Sequence, residues 1–461
     1  MLNTKEDNIP SKENFRKELF TIALPVALQN LMLALVGASD ALMLGRFSQN
    51  AVAAVSLANQ ISFIMNLFIG SIVGGCGVLI TQYYGKKDYG TVKKLMAIGI
   101  KLCAVVSLLF FLGTFFFPKG LLSFYTSDKD LISIGSEYLK IVSWSYLFSG
   151  VSQVYLMVMK IGNRASRSAA ISVMTVIIDM LADLFLIYGL AGIPRLGAAG
   201  CAISTVVVEA SALIVCLVDS YKRDHIHPDR NSFFSHSPIL YKDLSKVTFP
   251  VLASSLTWGI GYSMRSMIMG HLGNDAIAAE SVIAVILELT TCFCKGLSSG
   301  ASIMIGRLLG QNRTEEAKSC AVKFCRISIL CGFANIVMLL IVGPAANVFF
   351  VLTDGARKYL IEMMFVSAVY LFAYSINTIV TCGVFPAGGD TIYDAESVII
   401  SKWCFSLPLA LLGTFVFHWP VMLVYVIVMS DEVIKVPWIY PRYKKYIWLK
   451  NITRDQEVLA D

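Results

Sequence analysis

The sequence predicts an all-α polytopic membrane protein: twelve transmembrane helices in two six-helix lobes, related by a pseudo-two-fold axis along the membrane normal. Three observations predict it. Apolar residues make up 56% of the 461 and charged residues only 15%, with a mean hydropathy of +0.68, and a soluble domain would carry more charge. Apolar runs long enough to cross a bilayer recur from end to end, and twelve can be counted. The stretch 25–45, PVALQNLMLALVGASDALMLG, returns 225 positions later as 250–270, PVLASSLTWGIGYSMRSMIMG.

Taken in order, the runs place spans at 17–44, 51–83, 93–117, 134–159, 165–189, 197–220, 244–272, 276–308, 318–343, 357–384, 394–418 and 419–436. The arm before the first span, MLNTKEDNIPSKENFRKE, is too charged for a secretory signal, so the first span is expected to stay in the mature protein. Links are short except 221–242, which is polar and holds Pro. It divides the chain into an N lobe (1–220), a linker (221–243) and a C lobe with a polar tail (244–461). With the N-terminus inside, inner segments hold 26 Lys and Arg against 6 in outer loops. That bias puts both termini in the cytoplasm of a multi-pass protein of a bacterial inner membrane. The net charge of +7 comes mostly from loops and gives no reason to expect nucleic acid. The 11 Cys lie mostly within apolar runs and read as buried thiols; the 5 His show no metal-ligand spacing.

At the constant offset of 225, Pro25, Gly45, Ala51, Ala53, Ala54, Ser56, Gly75, Ile80 and Gly85 match Pro250, Gly270, Ala276, Ala278, Ala279, Ser281, Gly300, Ile305 and Gly310. Six spans separate the copies, so both halves point the same way, as in transporters built from parallel repeats. Among the positions that differ, Asp40 stands where the second copy has Arg265. An acid in such a run is costly and is by default a functional candidate.

The fifth span carries Asp179 and Asp183, four apart and on one helix face. Asp183 is six residues before Gly189 and Asp40 five before Gly45, so the two lie at similar depth. Three carboxylates converge in the outer half of the N lobe if spans one and five are neighbours. Burial disfavours the charged form of a carboxyl, and a second acid beside it disfavours it further. Such a cluster can load and lose a proton near neutral pH, or hold a sodium ion at Asp40 and Asp183. Pro25 removes a backbone hydrogen bond inside the first span and is the candidate hinge.

The chain resembles the multidrug and toxic compound extrusion (MATE) family. The resemblance is carried by ALPVALQN and ASDALMLGRFSQNAVAAVSLANQ in the first half, by FPVLASS and MGHLGNDAIAAESV in the second, and by FPAGGDT at 385–391. The last matches the family's Arg-Ala-Gly-Gly-Asp-Thr turn except at Phe385-Pro386. The resemblance implies two lobes forming a V around a central cavity. It implies export of amphipathic, often cationic, organic compounds against inward protons or sodium ions, with no other cofactor. It also implies that spans one and five adjoin and that the N-lobe cation site falls on Asp40, Asp179 and Asp183, with Gln153 a further amide. In one sodium-coupled branch an acid stands eight residues after the Pro of span seven; here that residue is Trp258. A C-lobe sodium site is therefore expected to be absent, and coupling to rest on the N lobe.

Met65, Phe68, Met157, Met264 and Arg265 are candidate cavity-lining residues. Arg265, Glu280, Glu288 and Lys295 equally suit a structural ion-pair network. The partners expected are small organic substrates and membrane lipid, for a monomer. Two other readings stand beside export. A flippase for lipid-linked saccharides would use a cationic cavity, for which Arg265 and Lys295 are available. A membrane-embedded transferase would need clustered His or acids at the membrane surface, which the sequence lacks.

Overall fold

The computed structural model describes residues 12–189, 194–222, 225–235, 237–349 and 352–455. Twelve helical rods account for nearly all of them: α1 (Lys12–Phe47), α2 (Gln49–Gly85), α3 (Tyr89–Phe116), α4 (Lys129–Ile161), α5 (Ala165–Tyr188), α6 (Ala198–Lys222), α7 (Pro238–His271), α8 (Asn274–Gly310), α9 (Thr314–Phe349), α10 (Asp354–Ala387), α11 (Ile392–Phe415) and α12, in two pieces (Val421–Val428 and Asp431–Lys444). Among the described residues, ten are long and apolar enough to cross a membrane. The exceptions are α7, diluted by Ser, Thr and Gly, and the broken α12. Twelve spans were expected, and the rods fall where the apolar runs do except at the end. There α11 stops at Phe415, and the last rod runs on to Lys444 instead of ending at 436. Its second piece opens on Asp431 and Glu432, both inside the expected span, and carries the helix eight residues past its expected end.

The neighbours of each helix repeat. In the N lobe α1 packs on α5, α2 on α3 and α4, α4 on α3 and α6, and α5 on α6. In the C lobe the same pattern holds with six added to every number. Between lobes, α1 lies on α8 and α2 on α7, a pair of contacts that exchange under a two-fold rotation, while α2 meets α8 on the axis. The register is kept to the residue. A Cβ added to Gly75 would stand 3.0 Å from Thr248 Cα, and one added to Gly300 would stand 3.1 Å from Ala23 Cβ, and both partners are again 225 apart. A Cβ on Gly85 would lie 2.2 Å from the Arg307 carbonyl oxygen and one on Gly310 1.9 Å from that of Gln82. Only glycine lets these backbones approach so closely. The following turns repeat too, with Lys87 and Asn312 both left-handed (φ 62° and 59°). Lobe–lobe contact thus runs down to the face that carries the ends of both terminal helices, here called the terminus face.

Two C-lobe helices are widened. α10 has a π-helical stretch at Val380–Val384, two residues before Pro386, and α11 one at Ile399–Ser406, two before Pro408. A proline inside a helix removes one N–H and crowds the carbonyl four residues back, and a wider turn makes room for it. Pro25 and Pro250 sit inside α1 and α7 without ending either helix.

Candidate cation site

The far end of the N lobe is built by α1, α5 and α6. Gln29 Nε2 donates to Ser172 Oγ at 2.7 Å, and Tyr188 Oη donates to the Met43 carbonyl at 2.8 Å, so α1 and α5 are tied at both levels. Small residues bring α6 close as well: a Cβ on Gly200 would meet the Leu186 carbonyl oxygen at 2.7 Å. Spans one and five are therefore neighbours, as the converging carboxylates required.

Between these helices Asp40, Asp183 and Cys201 each place a ligand atom within 4.8 Å of the others. By helical rise they lie about 5 to 10 Å below the far ends of their helices. Asp183 is 1% exposed and neither of its oxygens accepts a hydrogen bond from any described group; Asp40 Oδ1 is likewise unmatched. Asp179, one turn away on α5, is satisfied differently: its Oδ1 accepts from Ser204 Oγ on α6 at 2.6 Å. Glu209, further along α6, lies within electrostatic reach of Asp179. Positive charge is elsewhere. The ion pairs described for N-lobe residues are Arg164 and Arg167 on Asp219, Lys93 on Asp229 of the linker, Lys86 on Asp455 of the tail and Glu18 on Arg307 of α8, and none includes these four acids. A buried carboxylate beside a half-buried one, with no counter-ion among the described residues, suits a shared proton or a bound cation. Two oxygens and a thiol are the donors the protein offers an ion here, and a proton needs only one of them.

Sequence reasoning placed Asp40, Asp179 and Asp183 in one region, and the structure sets them there. It did not find Cys201, Ser204 or Glu209. Cys201 lies in the small-residue run GAAGCA, within a few ångströms of the depth of Asp183 from the far end. Gln153 does not join. It is eight residues from the terminus-face end of α4, about 12 Å up, whereas Asp183 is 18 residues from that end of α5, about 27 Å.

The suggested cavity residues are also corrected. Met65 and Met157 are buried in the N-lobe core, and Phe68 packs on Phe110 of α3 with ring centroids 6.1 Å apart. Met264 packs against the cluster of α11 and α12. Arg265 is buried against Glu280 of α8, with nitrogen–oxygen distances of 2.6 and 2.8 Å. Long apolar side chains at helical spacing meet neighbouring helices inside each lobe, and a buried guanidinium needs its acid. Glu288 and Lys295 form no ion pair with each other: seven residues apart on α8, they stand about 10 Å from one another along its axis.

The C lobe buries acids of its own, away from the position of Trp258. Lys402 meets Asp431 at 2.9 Å, Lys435 meets Glu432 at 2.6 Å, Asn377 Nδ2 donates to Glu432 at 2.8 Å, and Ser254 Oγ donates to Asp394 at 2.6 Å. The widened turn of α11 carries Lys402 into this group. Both lobes therefore bury carboxylates, but in the C lobe the buried acids Glu280, Asp431 and Glu432 are each matched by an arginine or a lysine.

A family model described as MatE matches residues 25–185 and 250–412. Among curated proteins, the chain is 22% identical over 442 residues to the "Uncharacterized transporter YisQ" of Bacillus subtilis, covering 96% of each chain. It is 21% identical to the "Probable multidrug resistance protein NorM" of Thermotoga maritima, covering 87% of each. Among solved structures, one described as an outward-facing conformation of a multidrug resistance MATE family transporter of the MOP superfamily aligns with a TM-score of 0.84 at 15% identity, covering 94% of this chain and 96% of that one. At that identity the likeness speaks for the fold.

Proposed function

The chain belongs to the MatE family, whose members are multi-pass membrane transporters and not enzymes, and from that premise we propose that it is a secondary antiporter. It exports amphipathic, often cationic, organic compounds as inward-moving protons or sodium ions load the Asp40–Asp183 pair. The observation that carries this reading is the pair itself, a buried Asp183 beside a half-buried Asp40, their oxygens within 4.8 Å and no counter-ion among the described residues. Sharing the site with a proton or a cation discharges it. A cationic substrate held by the lobe's negative charge then loses part of its attraction and leaves. The lysine and arginine bias puts the terminus face in the cytoplasm of a bacterial inner membrane. The lobes meet at that face, so the structure corresponds to a state closed to the cytoplasm, and the protein works as a monomer.

Residues 1–220 and 244–461 then act as two rigid lobes that rock about their shared contact. Pro25 sits where α1 lies against α8: a Cβ on Gly296 would stand 2.6 Å from Ala27 Cβ. Its missing N–H makes α1 the helix that bends as the ion loads. Each charge entering down about 100 mV supplies about 2.3 kcal/mol, roughly a 50-fold gradient of substrate. The relatives named as multidrug resistance proteins support the substrate class. A cationic cavity for lipid-linked saccharide has no support, since Arg265 is matched by Glu280. Export of a dye such as ethidium from vesicles, with pH and sodium gradients imposed separately, tests the proposal. Accumulation should follow one of the two gradients, and export indifferent to both overturns it.

A further inference from the structure

The chain that leaves α12 does not trail into solvent. Tyr446 turns it back with a left-handed backbone (φ 51°). Trp448 is fully buried, stacked on Tyr443 with ring centroids 5.9 Å apart, and its Nε1 donates to the Tyr443 carbonyl at 3.2 Å. The Trp448 carbonyl oxygen lies where a Cβ on Gly388 would come within 1.5 Å of it, so the turn between α10 and α11 is shaped to seat the tail. Further along, Asn451 Nδ2 donates to Asn312 Oδ1 at 2.7 Å, and the Arg454 guanidinium grips Asp243 at the start of α7, one of its two bonds at 2.7 Å. These contacts all stay within the C lobe.

The rest cross to the N lobe. Gln82, buried at the end of α2, donates to the carbonyls of Ala387 (2.6 Å) and Lys450 (3.1 Å) and accepts from Ile452 N at 2.8 Å. Tyr83 Oη accepts from Arg454 N at 3.0 Å. Lys86 Nζ donates to the Arg454 carbonyl at 3.0 Å and to Asp455 at 2.8 Å. On the N-lobe side only the last turn of α2 and the Lys86 that follows it take part. The two-fold counterpart of Gln82 is Arg307, which donates to the Ile161 carbonyl, to Asn163 and to Glu18 in the N lobe, with no counterpart of the tail beside it among the described residues. The closure is therefore symmetric except for one added piece.

We propose that residues 445–455 are a strap: anchored in the C lobe by Trp448, they hold the terminus face shut through Gln82, Tyr83 and Lys86, and residues 450–455 peel away from α2 when that face opens. The argument rests on the alternating access proposed above only for why the face must open. Separating α2 from α8 cannot keep the contacts of Gln82, Tyr83 and Lys86 with the tail, whereas it leaves the Trp448 anchor and the Arg454–Asp243 pair inside one lobe. The strap thus adds to the free energy of the closed state and sets how often the face opens.

Spin labels on the full chain test this, at Ser166 (start of α5) and Ile392 (start of α11), both exposed on the terminus face. The exposed Cys382 and Cys404 are replaced by Ser. Distances are read without substrate or ion gradient, so the result is independent of whether Asp40 couples transport. A chain stopped after Leu449 keeps the anchor and loses the crossing segment. It should show a long-distance population at least threefold larger than the parent. Lys86→Glu should do the same, and Lys86→Glu with Asp455→Lys should return most of the population to the short distance. An unchanged distribution in a truncated chain that melts like the parent overturns the strap. Should truncation prevent folding, the charge pair decides: a Lys86→Glu shift that Asp455→Lys does not reverse, or no shift at all, overturns it equally.

Discussion

Replacing Asp40 by Asn keeps the size of the side chain and removes one charge from the pair. Asp40 and Asp183 offer oxygens no more than 4.8 Å apart. With an effective dielectric of about 20, two ionised carboxylates at that distance repel by about 3.5 kcal/mol, a factor of roughly 300. That energy is what a proton or cation relieves on entering, and it is the coupling the site can deliver. Asp40→Asn abolishes it, and the new amide can donate to the unmatched Asp183. The variant should fold with an unfolding midpoint at or above the parent's, because a buried repulsion has become a hydrogen bond. In proteoliposomes it should still bind substrate but lose gradient-driven accumulation, falling towards passive equilibration. The assay is dye accumulation under an imposed pH gradient and, separately, a sodium gradient, with the midpoint measured on the same preparation. Accumulation at the parent level in either gradient refutes the reasoning, since the site would then be dispensable. A variant that loses activity and also melts far below the parent refutes the electrostatic account.

Other expectations follow from the packing. Gly310→Ala places a methyl group against the Gln82 carbonyl, 1.9 Å away before relaxation; it should hold the terminus face apart, lengthen distances across it and cut export at least tenfold. Arg265→Met leaves Glu280 buried without its partner and should cost about 3 to 5 kcal/mol in detergent unfolding, while adding Glu280→Gln should recover most of that loss. On the terminus face, the hydrogen bond from Lys86 holds the Asp455 carboxyl below the usual carboxylate range. A lowered folded-state value means the tie is present above the ordinary value of 3.8 and is lost only as pH falls through the lowered one. Distances across the strap should therefore not change between pH 5 and pH 8. Any pH dependence of export in that window then belongs to the membrane-buried acids, and a strap that loosens there would break this assignment.

What the sequence could reveal followed from what a linear pattern encodes. Span existence is a matter of run length and composition, so the rods stand where the apolar runs do. The 225-residue offset carried the pseudo-symmetry down to the glycine contacts of Gly75 and Gly300, because close helix approach admits few residue types and leaves a mark in the text. Depth in the membrane can be counted along a helix, which is how Asp40 and Asp183 fell at one level. Partners across helices cannot be counted. Ser204, Cys201 and Glu209 come from α6, and nothing in their own run says which face they turn to Asp179 and Asp183. The same limit explains the errors. Asp431, Glu432 and Lys435 fell inside the expected span 419–436 but were not read as a buried group, because Lys402 and Asn377, which satisfy two of them, are not adjacent in sequence. Met65 and Met157 looked like cavity lining because an apolar residue reads alike whether it faces a neighbour helix or a void.

The difference between the lobes is then one of pairing. Each lobe buries acids among its last helices, and the exchange of Asp40 for Arg265 shows how the pairing diverged. In the C lobe Arg265 takes Glu280, and lysines take Asp431 and Glu432, so charge is balanced by residues that cannot leave. A structure so matched gains nothing from a mobile cation. In the N lobe Asp40 faces Asp183, and the balance has to be brought from outside. A carboxylate pair that the protein itself does not neutralise makes the free energy of that lobe depend on ion supply, and an energy that depends on supply can be spent on moving something else. The symmetric frame supplies two ways to close, and this one unmatched pair supplies a reason to alternate between them.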